Sequence, residues 1–357
     1  MSSQNPAPRG PRATAPGAAR AGASRGPRAA VEPIQDVAIV GAGLAGLSCA
    51  RSLAAYGVRV ALFDKGLRPG GRLATRRVEV GGQVYSFDHG AQYLTARGPG
   101  FTAVLDAAHA VTWPDGERRV GMPRMSAVPR ALADGLDIAL GRQVTEILGE
   151  PGAWRLRHMD ATQLRPGRPL PTDPPEEAGP FGAVVLAIPA AQAAPLLAGP
   201  APRLAAVLEG VRMAPCWTLM AAFADRLPIT PDTLRPAGGP IAWAARDSAK
   251  PGRDKETECW VVQAGADWSR THLERSPADA TAQLLAAFGS LTGIDLPAPA
   301  FAAAHRWRFA LVEAPLGAPC LWEPGLGLGA AGDWCIGPRA EAALDSGAAL
   351  ATAIRSA

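Results

Sequence analysis

The chain has 357 residues, with 36 Lys and Arg against 32 Asp and Glu and a formal net charge of +4. Five arginines (Arg9, Arg12, Arg20, Arg25, Arg28) and no acid fall in residues 1–30, which leaves 31 basic and 32 acidic side chains in residues 31–357. A near-neutral body lacks the basic stripe of a nucleic-acid binder. Five cysteines without a CxxC pair fit neither a disulfide framework nor a zinc site, and free thiols in a reducing cytoplasm are expected. No membrane span is expected, because the longest apolar stretch, 183–198, is broken by Pro189 and Pro195.

Residues 1–33 are Ala, Pro, Gly, Ser and Arg with few large apolar side chains. They cannot bury enough surface to offset ordering entropy, and a disordered tail is expected. VAIV (37–40) then reads as a buried strand. Residues 43–56 read as a helix, with Leu44, Leu47, Ala50 and Leu53 at helical spacing. VRVALF (58–63) is a second strand, which completes a βαβ unit. The Pro-rich stretch 165–180 reads as a loop. GAVVLAIP (182–189), CWTLMAAF (216–223) and CWVVQAG (259–265) read as strands. Helices are expected over 202–209, 277–289 and 340–356.

GAGLAG sets Gly41, Gly43 and Gly46 in GxGxxG spacing, after a strand and at the start of a helix. Gly41 permits the tight turn, Gly43 lets a pyrophosphate approach the backbone, and Gly46 lets helix and strand pack closely. The helix N-terminus offers free N–H groups to phosphate. Asp64 ends the second strand, where a carboxylate accepts hydrogen bonds from ribose hydroxyls and repels a 2′-phosphate. FAD or NAD is therefore expected over NADP. A second glycine pair with an arginine, Gly70, Gly71 and Arg72, can reach the same pyrophosphate. Near the C-terminus, Gly332 and Asp333 end an apolar strand and lead to a helix starting near 339–343, whose N-terminus favours negative charge.

The two ends together resemble the discontinuous FAD domain of glutathione-reductase-like and amine-oxidase-like flavoproteins. GGRLATRR (70–77), FDHGAQYLTAR (87–97), WAARDSAKPGR (243–253), ECWVVQAGADWSRTHLE (258–274), HRWRFA (305–310) and GDWCIGPRAEAALDSG (332–347) resemble the bacterial renalase family more specifically. Gln263 departs from that pattern, standing where the family commonly has histidine.

The resemblance implies an α/β chain (α+β overall). It has a Rossmann-like FAD-binding domain over 34–94, 124–198 and 322–357. A discontinuous substrate domain over 95–123 and 199–321 carries a mixed sheet and helices. It implies non-covalent FAD held by Gly41, Gly43, Leu44, Ala45, Gly46, Asp64, Lys65, Gly71, Arg72, Gln92, Tyr93, Val144, Gly332, Asp333, Ala340 and Ala342. Tyr93, His305, Trp217, Trp243 and Trp307 are the candidates for positioning substrate. Arg246, Lys250 and Arg253 read as a basic loop suited to a substrate pyrophosphate, or simply solvated.

The implied reaction oxidises 2- or 6-dihydro isomers of NAD(P) by hydride transfer to flavin N5, with molecular oxygen regenerating the flavin and yielding hydrogen peroxide. The implied partners are a small-molecule substrate (dihydronicotinamide dinucleotide or amine) and O2, with no nucleic acid, no membrane and no metal. A flavin amine oxidase is the nearest alternative. It typically needs a lysine near the flavin, and the matching strand CWTLMAAF has none. Desaturase-like chemistry and a non-catalytic flavin- or NAD-binding regulator remain open.

Overall fold

The computed structural model describes residues 34–164 and 174–357. The tail 1–33 and most of the 165–180 stretch therefore lie outside the described residues. The first strand, Asp36–Val40, sits inside a six-stranded sheet. The strand order is Leu321–Glu323, Leu328–Ala330, Ala183–Leu186, Asp36–Val40, Arg59–Asp64, Ile138–Leu140. All pairings are parallel except that of Leu321–Glu323 with Leu328–Ala330. Val37 to Val40 are buried, because a parallel strand between two neighbours has both faces covered. Its continuous apolar run is the sequence signature of that position.

The helix Leu44–Ala54 follows the glycine loop and packs against the last helix, Ala340–Arg355. The approach is close enough that a Cβ on Gly347 would fall 2.1 Å from the Ala45 carbonyl oxygen. Ser48 Oγ donates to Leu344 O at 2.7 Å across the same interface. The two ends of the described chain are thereby welded into one layer.

A three-stranded antiparallel sheet, Arg142–Leu148, Trp154–Asp160 and Glu176–Phe181, adjoins this layer. Residues 176–181 are a strand and not the loop expected over 165–180. The prolines misled because the strand lies at an edge, where a missing N–H is tolerated, and Pro180 falls at a register shift. Glu176 and Glu177 hold it by ion pairs to Arg142 and Arg157.

The second large sheet has five strands in the order Thr233–Leu234, Ile241–Arg246, Glu258–Ala264, Arg212–Phe223, Phe301–Ala314. It is antiparallel throughout rather than mixed. One face packs on the helix Pro277–Thr292 through Trp217, Leu219, Ala221, Trp260, Val262 and Ala304. That helix has both end signals: Ser276 accepts from Asp279 N at 3.1 Å, and Gly293 closes it at φ 70°. The opposite face meets the hairpin Arg76–Val80 and Gln83–Phe87 through Tyr85, Phe87, Met220, Ala222, Cys259 and Val261. Among the described residues no helix is long and apolar enough to cross a membrane.

The loop glycines differ in what they tolerate. A Cβ on Gly46 would lie 1.9 Å from Gly41 O, whereas one on Gly43 meets nothing within 4 Å. Gly46→Ala should therefore cost about 1–3 kcal/mol of stability, and Gly43→Ala should leave the melting temperature near wild type. Thermal denaturation of the two variants checks the contrast.

Candidate functional site

The site begins at the glycine loop. Gly41 sits at φ +107°, and a side chain there would strike Ala187 O at 2.4 Å. The helix starts at Gly43 with no side-chain cap and no acid in its first turn. Its leading N–H groups are thus free for a phosphate. Gly70 N donates to Ala42 O at 2.8 Å, and a Cβ on Gly71 would lie 3.7 Å from Gly43 Cα. Two glycine segments thus face each other and leave a groove that side chains would fill.

Asp64 stands at the end of the second strand, where the βαβ unit places it. Its carboxylate accepts from Ala42 N and Gly66 N, each at 2.6 Å, which ties strand to loop. Burial pushes its pKa up, against the pull of those two amides. Lys65 beside it is exposed. Val144 is buried in the three-stranded sheet, paired with His158.

Arg72 makes a two-pronged ion pair with Asp333, both contacts 2.7 Å, and donates to Ala310 O at 3.0 Å. One guanidinium therefore joins the GGR loop, the start of the C-terminal segment and the long Phe301–Ala314 strand. Gly332 N donates to Ser346 Oγ at 3.0 Å, which sets Asp333 at the head of a short helical turn, Asp333–Ile336. The last helix follows at Ala340 with Ala342 buried in its first turn, and its N-terminus also lacks a side-chain cap. Arg339, just before it, has a buried Nε without a hydrogen-bond partner. Uncapped helix ends, the open Gly43–Gly71 groove, the strand-end carboxylate and this orphaned donor all fit a bound dinucleotide.

From Arg72 the site passes to residues 88–93. Ala91 N donates to Arg72 O at 2.9 Å, and a Cβ on Gly90 would sit 1.9 Å from that same oxygen. This segment lies on the inner face of the antiparallel sheet. Gln263 Nε2 donates to Gly90 O at 2.7 Å, and Trp307 Nε1 donates to His89 O at 2.9 Å. Strand register then lines up one row across four strands: Trp243 opposite Gln263, Gln263 opposite Thr218, and Thr218 opposite His305. Cys216 and Trp307 form the next rung.

Tyr93 leans on Trp243 at 5.5 Å between ring centroids, with the Arg118 guanidinium 4.6 Å over its ring. Trp243 Nε1 is buried with no partner. His89, His305 and Trp307 form a second aromatic group with centroids 4.5–5.1 Å apart. Burial pushes both imidazoles down to about 4, with Arg76 and, for His305, the neighbouring His89 acting the same way. Both are neutral near pH 7 and can donate or accept a hydrogen bond. Cys216 is pushed up to about 11 by burial, so it is a thiol and not a nucleophile.

Four candidates from the sequence, Tyr93, Trp243, His305 and Trp307, thus converge on this face. Trp217 does not. It is fully buried on the opposite face, with Nε1 donating to His272 O at 3.0 Å. Strand side chains alternate faces, so Trp217 points away when Thr218 points in. Gln92 is buried, and its side-chain amide is spent on Asp88 O, Gly90 O and Lys250 rather than on a ligand. The basic loop is also corrected. Arg246 is buried against Glu258 and Asp232, Lys250 against Asp247, and Arg253 against Asp88. None of the three is free to hold a pyrophosphate. Sequence reasoning missed Thr218 and His89 and gave Gln263 no role; the signal was strand alternation read together with register. Among the described residues no cluster of three metal-ligating side chains exists.

Residues 39–108 match the NAD(P)-binding Rossmann-like domain family. Lysine-specific histone demethylase 1 homolog 3 of rice (Oryza sativa subsp. indica) is 46% identical over 59 residues, 16% of this chain and 7% of that protein. Lysine-specific histone demethylase 1 homolog 1 of Arabidopsis thaliana is 47% identical over 66 residues, 18% and 8% of the two chains. The matched stretch spans less than a tenth of either relative. Over the whole fold, a protein of Exiguobacterium sp. 255-15 described as a protoporphyrinogen oxidase has a TM-score of 0.66 at 14% identity, covering 90% of this chain and 99% of that one. A double mutant of putrescine oxidase has a TM-score of 0.64 at 14% identity, with coverage of 90% and 99%. The fold is a Rossmann-like FAD-binding fold with a separate antiparallel sheet.

The two depressed histidines give a pH test. Each is neutral when folded and takes a proton when unfolded below about 6.5, so the unfolded state binds more protons between pH 6.5 and about 4. Stability should be constant above that window from these groups and fall as pH drops through it. His305→Asn should flatten the fall, as read by urea unfolding at stepped pH; an unchanged slope would contradict the burial assigned to His305.

Proposed function

We propose that the chain is an FAD-dependent oxidoreductase that removes a hydride from a flat, electron-rich ring, with the 2- and 6-dihydro isomers of NAD(P) as its substrates. The observation that carries this reading is the composition of the inner sheet face. Beyond the part covered by the hairpin, its side chains include Cys216, Thr218, Trp243, Gln263, His305 and Trp307, with no Asp or Glu among them. Arg76 and Arg118 border it, and the nearest carboxylates, Asp88 and Asp247, are paired with Lys250 and Arg253. A largely neutral aromatic face suits a planar ring carried on an anionic dinucleotide, and offers a cationic amine no unpaired counter-charge.

FAD, when bound, supplies the hydride acceptor and the route of two electrons to O2. The chain's own residues bind and orient. The uncapped helix ends meet phosphates. Tyr93 and Trp243 on one side and His305 and Trp307 on the other form aromatic walls against which a dihydropyridine stacks. The Gln263 side-chain oxygen and the neutral His305 offer hydrogen bonds to a carboxamide. Loss of hydride restores aromaticity to the substrate ring, so no strong base is required, and none is present on this face.

Amine oxidation is the second reading, favoured by the fold likeness to putrescine oxidase and by the short match to lysine-specific demethylases. Against it stand the pairing of the nearby Asp88 and Asp247 with Lys250 and Arg253 and the lack of a lysine on the Arg212–Phe223 strand. Anaerobic mixing of the FAD-loaded protein with 6-dihydro-NAD, β-NADH, putrescine and a panel of other amines separates the two. Rapid loss of the visible flavin absorbance with the dihydro isomer alone is the expected result. Loss with amines alone overturns the first reading in favour of the second.

A further inference from the structure

A fully enclosed polar cluster lies beside residues 88–92, at the edge of the inner sheet face. Asp88, Asp247 and Lys250 are each no more than 1% exposed. Lys250 Nζ lies 2.6 Å from Asp247 Oδ1, 3.3 Å from Gln92 Oε1 and 3.5 Å from Asp88 Oδ2. Arg253 donates to Asp88 and, at 2.7 Å, to Gly121 O. Asp88 also accepts from Thr75 Oγ1 at 2.6 Å and Met125 N at 3.1 Å. Its own backbone N–H donates to Asp247 Oδ2 at 3.2 Å. Two cations balance two anions, so the cluster is neutral as a whole. Burial opposes the ionisation of Asp88, but Lys250 and Arg253 outweigh it and hold the carboxyl below its ordinary range.

Such a cluster is a poor way to gain stability alone. Desolvation consumes most of the Coulomb energy, and well-packed apolar residues commonly do as well. What it provides is position. The segment 88–92 is irregular backbone outside helix and strand. It is gripped at one end through Asp88 and at the other through the Gln92 amide, which donates to Asp88 O and Gly90 O while accepting from Lys250. Between these grips, His89 O and Gly90 O take hydrogen bonds from Trp307 and Gln263 of the sheet.

We propose that Lys250 is a positioning residue: through Asp247 and Gln92 it fixes the 88–93 backbone, and with it His89, Tyr93 and the wall that the bound flavin ring and substrate meet. The flavin part of this rests on the function proposed above; the holding of the segment does not. Lys250 lies on the connection between the strands Ile241–Arg246 and Glu258–Ala264, away from the strand Arg212–Phe223 that faces the site. It touches the site only through the residues it holds.

The test uses the full chain, with and without added FAD. Lys250→Met alone strands a buried Asp247 charge and is expected to destabilise or misfold the chain. The informative variant is Lys250→Met with Asp247→Asn, which removes both charges together. Its expected result is a melting temperature near wild type, amide exchange in residues 88–93 faster by about tenfold or more, and, with FAD, an altered flavin absorption spectrum with kcat down about tenfold and KM little changed. Restoring Lys250 in the Asp247→Asn background should recover most of the exchange protection through the Gln92 contact. Wild-type exchange and an unaltered spectrum in the double variant overturn the proposal. If the wild-type chain takes up no FAD, the flavin reading falls, and the exchange result still decides whether Lys250 holds the segment.

Discussion

Arg72 and Asp333 meet through two 2.7 Å contacts across 261 residues of chain. Much of the molecule depends on that meeting. The pair joins the glycine loops of the first hundred residues to the last strand and helix, and the third bond of Arg72, to Ala310 O, brings in the antiparallel sheet. The close packing of Gly347 against Ala45 closes the same layer from below. A dinucleotide groove built from both ends of the described chain needs such a tie, because neither end alone encloses it. The pair is about one-third exposed on the arginine side and nearly buried on the aspartate side, so its charges are neither freely solvated nor deeply desolvated.

A second constraint is the packing of residues 88–93 between the groove and the sheet. Gly90 has no room for a side chain against Arg72 O, and its own carbonyl is claimed by Gln263. This places residues 88–93 against the face that carries the aromatic and neutral polar side chains of four strands. The opposite sheet face is ordinary core under the helix Pro277–Thr292. The division of labour between the two faces comes from the two-residue period of strands acting on sequences such as CWTLMAAF, where Trp217 goes under the helix and Thr218 to the opposite face, in the row with Gln263 and His305.

That alternation marks where reading the sequence stopped. The glycine loop, its strand and helix, Asp64, Arg72 and the Gly332–Asp333 turn were legible because each is a local pattern with a backbone reason. Trp217 was misplaced because alternation says that two faces differ, not which one looks inward; register with His305 and Gln263 decides it. The run Arg246, Lys250, Arg253 read as an open basic loop because, apart from Asp247 beside Lys250, its counter-charges lie elsewhere in the chain. Glu258 and Asp232 are 12 and 14 residues from Arg246, and Asp88 is 165 residues from Arg253. Local charge counting cannot see partners at that range. The strand Glu176–Phe181 was hidden by prolines that an edge position tolerates.

The central claim is that the groove closed by Arg72 and Asp333 holds FAD, and the most direct measurement is the FAD dissociation constant of the wild-type chain and of Asp333→Asn. Asparagine keeps the shape, drops the charge and removes one of the two oxygens that accept from Arg72, which breaks the two-pronged pair. The account predicts stoichiometric FAD uptake by the wild-type chain and affinity weakened by about tenfold or more in the variant. A wild-type chain that takes up no FAD, or a variant that binds it unchanged, would contradict it.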